Sequence, residues 1–135
     1  MEKSNQVMAP ISVGELYDKI SILEIKLEHV GDNETKKANI GHELAELVEI
    51  RRNLKLPDAL NKRTELDDMY KELKQINIVL WRIEDMKRKH EKEQNFDQTF
   101  IALARQVYIN NDRRAEVKKK INVFMHSDIV EEKIY

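Results

Sequence analysis

Cysteine is missing from all 135 residues, which excludes disulfides and thiolate metal sites. Glycine occurs three times and proline twice, so there are few helix breakers and no Gly-rich phosphate loop. Aromatic residues make up only 6%. They do not interleave with the basic stretches "KRKHEKE" (87–93) and "RRAEVKKK" (113–120) as a single-strand nucleic-acid binder would require. Neither sign of charge dominates. The balance of 24 basic against 25 acidic residues leaves a formal net of −1, which gives no general pull toward nucleic acid or anionic membrane. No apolar run approaches the roughly 20 residues that span a bilayer. The opening "MEKSNQVMAP" has neither the basic nor the apolar region of a signal peptide. The expectation is a cytoplasmic protein with no nucleic-acid and no membrane partner.

What is present is helical in pattern. With 41% hydrophobic and 36% charged residues, the chain is too apolar for disorder and long enough for one domain over 1–135. Residues 1–11 read as an extended leader. Ser12 then precedes Glu15 by three residues, a capping box. Val13, Leu16, Ile20, Leu23, Leu27 and Val30 recur at spacings of three and four, with Ile22 and Ile25 widening the seam. "GDNE" (31–34) ends this helix, with Gly31 beyond its C-cap, and starts the next. A second helix over about 34–55 uses Ile40, Leu44, Leu47, Val48 and Leu54. Pro57 stops it, and Asp58 or Asn61 restarts the chain. A third runs to Glu93 on Leu66, Met69, Leu73, Ile76, Leu80 and Ile83. Asp97 or Asn95 caps a fourth, and residues 126–135 form a tail packed on the bundle. Short connections imply antiparallel neighbours. The fold expected is all-α, an up-down antiparallel bundle of four helices with a long hairpin between the third and fourth.

The fourth helix interrupts its own apolar seam with Asn110 and Arg114, beside Asn111, Asp112 and Arg113. With a hairpin turn near Asn95, Asn77 of the third helix falls opposite this interruption, with Trp81, Glu84 and Asp85 a turn away. Buried polar groups need partners, since an unpaired one costs about 1–3 kcal/mol. Arg114 is therefore expected to be largely buried and bonded to a carboxylate: Glu84, or Asp18 or Glu24 of the first helix. Such a layer fixes helix register, or it forms a pocket where Arg113 or Arg114 receives an anion beside Trp81.

Another pattern is acidic. Glu43-x-x-Glu46 and Glu65-x-x-Asp68 resemble the motif of all-helical, MazG-type nucleotide pyrophosphohydrolases, where four acids on a helix pair hold Mg²⁺ over a nucleoside triphosphate. These acids are symmetric about the Pro57 turn, yet spacings of this kind arise easily in so charged a chain. The expectation is that they splay into solvent. His29, His42, His90 and His126 form no ligand cluster, and no Ser or Thr has a credible His–Asp context.

"ISVGELYDKISILEIK" (11–26), "LWRIED" (80–85), "YINNDRRAEVKKKIN" (108–122) and "VEEKIY" (130–135) resemble an uncharacterised family of small helical microbial proteins. The resemblance implies a shared compact unit and no particular substrate. Its blocks hold Asp18, Lys19, Trp81, Glu84, Asp85, Asn111, Asp112 and Arg113, whereas the acidic quartet lies mostly outside them. The function expected is a non-enzymatic interaction or assembly module without a cofactor. Its partner would be a second copy, as a homodimer, or another protein. Tyr70, Ile78, Val79, Trp81 and Met86 spread apolar surface beyond one stripe of the third helix and suggest self-association. The competing cover for that face is the tail, through Ile129, Val130, Ile134 and Tyr135. The alternative functions are a Mg-dependent pyrophosphohydrolase and a small-anion binder at Arg113 and Arg114.

Overall fold

Among the described residues four helices carry the apolar pattern: α1 Val13–His29, α2 Glu34–Arg52, α3 Lys62–Glu93 and α4 Gln98–Phe124. The computed structural model describes residues 4–57 and 62–135. The restart expected at Asp58 or Asn61 and the first three residues of the leader lie outside the described residues. Residues 4–12 have no regular secondary structure, and no strand occurs among the described residues.

Local chemistry fixes the helix ends. The Ser12 hydroxyl accepts from the Glu15 N–H at 3.0 Å, and Asn33 and Asp97 cap α2 and α4 in the same way. The Glu15 carboxylate does not return to the cap as a capping box would have it; it pairs with Lys118 and Lys19. Gly31, at φ +67°, turns the chain out of α1 in the left-handed region, where a side chain would be strained. Gln94 and His126 take the same conformation at φ 51° and 54°. In each case the next N–H reaches back five residues, Asn95 to His90 and Ser127 to Asn122, which satisfies the last carbonyls of α3 and α4.

α3 and α4 pair over most of their lengths, and α1 lies in the groove between them. Cross-helix contacts set the directions. Tyr17 meets Tyr70 and His29 meets Trp81, so α1 runs parallel to α3. Gly14 meets Asn122 and Arg114 meets Asn77, so α4 runs against both. Tyr17, Leu66, Leu73, Ile76, Val117, Ile121 and Met125 form the core of this three-helix unit. α2 folds back along α1 and, among the described residues, packs on no other helix. Its expected seam is therefore covered from one side only: Ile40, Leu44, Leu47, Val48 and Leu54 are half-buried, and no residue of α2 is fully buried.

The α3–α4 hairpin outruns its support. α1 ends at His29, whose ring lies 4.7 Å from that of Trp81. Residues 82–93 of α3 extend about 18 Å further at 1.5 Å per residue. There they face only the first half of α4.

Candidate functional site

The polar interruption of α4 is a stripe four residues apart: Asn110, Arg114, Lys118 and Asn122. Its middle meets α1 and α3. The Asn77 amide donates to Asp18 Oδ1 at 2.8 Å and to the Ser21 hydroxyl at 2.7 Å, and its carbonyl oxygen accepts from Arg114 Nη1 at 3.2 Å. Ser21 in turn donates to the Asp18 carbonyl at 2.7 Å. Lys118 reaches from α4 to both Glu15 and Asp18, the latter at 3.5 Å. Asp18, Ser21 and Asn77 are all buried. One amide thus joins three helices, using both of its ends.

A second junction lies one turn lower. Asn122 Oδ1 accepts from the Gly14 N–H at 2.6 Å, and the Ser127 hydroxyl accepts from the Val13 N–H at 3.0 Å. Residues more than 100 positions away therefore bond the free N–H groups of the first turn of α1. Gly14 is what permits the approach: a Cβ there would stand 2.5 Å from the Lys118 carbonyl oxygen. The tail continues from this junction along α4, held by Lys119–Glu132 at 3.0 Å and Lys133–Asp112 at 3.3 Å. Between tail and helix runs a groove of about 480 Å³, lined in part by Asn111, Arg114, Lys118 and Asn122.

Several expected residues stand elsewhere. Arg114 is half-buried and bonded to the neutral Asn77, not to a carboxylate. Asp18 is taken by Asn77 and Lys118, which lie closer to it. Glu84 points to solvent and pairs with Lys87 and Arg88 on its own helix, and Asp85 and Arg113 are exposed. Trp81 stacks on His29. Asn110 is buried but bonds to Gln106 within α4, and Lys19 sits on the outer side of Glu15. Asn111 and Asp112 face the tail.

Glu43, Glu46, Glu65 and Asp68 are all exposed and do not converge, because α2 never packs on α3. Among the described residues no group of three or more His, Cys, Asp or Glu side chains could hold a metal ion. Symmetry about a turn places residues level only when the flanking helices pair. The tail also fails to cover α3, since it follows α4 and leaves Ile134 and Tyr135 exposed.

Ser21, Lys118, Asn122, Ser127 and Gly14 were not anticipated as part of this network. Lys118 hides within a basic run that reads as a solvated face. The four-residue spacing from Asn110 to Asn122 was the available signal, since it puts all four on one side of α4.

The geometry defines an all-helical bundle whose α1 is locked to α3 and α4 by mutually bonded polar residues. Among the described residues, no helix is long and apolar enough to cross a membrane. The chain belongs to DUF6165, a family of unknown function, which it matches over residues 7–135, tail included. No curated protein and no solved structure matches it.

Proposed function

We propose that the protein is a non-enzymatic interaction and assembly module of the cytoplasm that works as a homodimer through the projecting α3–α4 arm. The observation that carries this reading is the uneven burial of the arm. Over residues 82–109 only Ile83 is fully buried. Met86 (45% exposed), Phe96 (49%), Ile101 (46%) and Tyr108 (55%) leave large apolar surface in water. Ile101, Ala104 and Tyr108 are spaced three and four apart, so they form one exposed stripe on α4, with a small residue at its centre. Such a stripe suits close approach of another helix, and a two-fold pairing uses the same stripe twice. A second copy fits better than a strongly charged partner, because the net charge of −1 sets up no repulsion between copies.

The small-anion reading at Arg113 and Arg114 gains no comparable support. Lys118, Lys119 and Lys133 along the tail groove each already meet a carboxylate. The absence of native cysteine makes a direct test available. Ala104→Cys introduces a unique thiol at the centre of the stripe. Mild oxidation should yield a covalent dimer far faster than for Lys37→Cys on α2. Equal rates for the two variants would refute pairing through this stripe.

A further inference from the structure

Among the described residues α2 and α3 both pack on α1 but not on each other, and the space between them is a cavity of about 340 Å³. Leu54, Leu56, Leu66 and Met125 give it an apolar floor. Tyr17 and Tyr70, packed edge to face with ring centres 5.9 Å apart, form one side. Arg51 comes from the end of α2 and Arg63 from the start of α3, so guanidinium groups enter from opposite walls. Asp67 is the one acid lining the cavity among the described residues. A third arginine, Arg52, is held outward by Glu49 at 2.8 Å.

Two tyrosine hydroxyls belong to the wall of the cavity. The Tyr70 hydroxyl is buried with no hydrogen-bond partner among the described residues, although buried hydroxyls are almost always bonded. Burial raises the Tyr17 hydroxyl above its ordinary pKa of 10.0, against the opposing influence of Arg51 and Arg63. Two guanidinium donors, Arg51 and Arg63, thus line a space with an apolar floor. The planar fork of arginine matches the oxygens of phosphate and carboxylate. The volume lies at the small end of the roughly 300–1,000 Å³ found for ligand pockets.

We infer that this cavity binds a small oxyanion carried on an apolar body, a phosphomonoester or a carboxylate, with the anionic head between Arg51 and Arg63 and the body against Leu54, Leu56 and Leu66. Such a ligand bridges α2 to α3, the contact that the fold itself lacks.

Phenyl phosphate and phenylacetate are the probes, titrated into the full chain by calorimetry, with amide NMR shifts to locate the site. One of them should saturate a single site, with shifts concentrated in residues 51–56 and 63–70. The tighter of the two assigns the head group as phosphate or carboxylate. Arg51→Gln and Arg63→Gln should each weaken binding by about tenfold or more, the usual effect of losing a charge-assisted hydrogen bond. Arg105→Gln, on α4 and not among the lining residues, should leave it unchanged. Both cavity arginines have solvent access and are not part of the core, so helical circular dichroism should be retained. The shift map of the unaltered protein gives a readout independent of any variant. Failure of both probes to saturate at millimolar concentration, shifts outside these segments, or equal binding by the Arg51→Gln/Arg63→Gln double variant would overturn the inference.

Discussion

Replacing Gly14 by Ala adds one carbon atom at the closest approach between α1 and α4. That atom would meet the Lys118 carbonyl oxygen at 2.5 Å and Asn122 Oδ1 at 2.9 Å, whereas ordinary contact begins at 3.4 Å. The first of these neighbours is backbone within α4, so it cannot swing aside as a flexible side chain would. The helices must separate, which costs about 1–3 kcal/mol as overpacking does elsewhere. Separation also strains the bond from the Gly14 N–H to Asn122, and losing a buried partner costs about 1–3 kcal/mol more. Against this, alanine is favoured over glycine in a helix by about 1 kcal/mol. The net is a destabilisation near 3 kcal/mol. At about 2.1 cal/mol/K of unfolding entropy per residue, that lowers the melting temperature by about 10 °C. Gly41 supplies the control: it lies inside α2, and a Cβ there would meet nothing within 4 Å. Gly41→Ala should therefore stabilise by about 0.5–1 kcal/mol. Thermal and urea denaturation of the two variants gives both signs. A Gly14→Ala protein as stable as the parent would refute the account of how α1 docks.

Asn77→Leu keeps the branched shape but removes the partner that Asp18, Ser21 and Arg114 share; a loss of about 3 kcal/mol in urea unfolding is expected, and a neutral result would mean that the network contributes nothing. Arg114→Gln should cost only about 1–1.5 kcal/mol by the same measurement, because the residue is half-buried and its bond is to a neutral amide. For Tyr17 the folded pKa is raised above the unfolded value of 10.0. Its contribution is fully present below that pH and is lost as the pH climbs through the folded value. Stability should therefore fall more steeply between pH 9 and 11 in the parent than in Tyr17→Phe, by denaturant titration at each pH; parallel curves would contradict this.

The ends and seams of the helices were legible because short-range chemistry decides them. Ser12, Gly31 and Asp97 act within a few residues of their own position, and the α3–α4 hairpin follows from one turn. The same reasoning brought Asn77 to Arg114. It did not bring Lys118 to Asp18, or Asn122 to Gly14, because those pairs depend on how α1 lies on the hairpin, which no local signal encodes. How many neighbours cover α2 was not legible for a related reason. A half-buried stripe and a fully buried one share the same period, so periodicity shows which side faces inward but not how many neighbours cover it. The Glu43–Asp68 quartet would converge only if α2 and α3 paired, and its four acids are exposed. The carboxylate expected beside Arg114 was a sound demand for a buried guanidinium. Arg114 lines the tail groove instead, and solvent access removes the demand.

Sedimentation equilibrium at micromolar concentration tests the proposed assembly most directly. The parent chain should show reversible association toward twice its 16.0 kDa mass, and the Ile101→Lys/Tyr108→Glu variant, altered only on the exposed stripe, should stay at the monomer mass with unchanged helicity. A parent chain that remains at 16.0 kDa across the whole concentration range would contradict the homodimer.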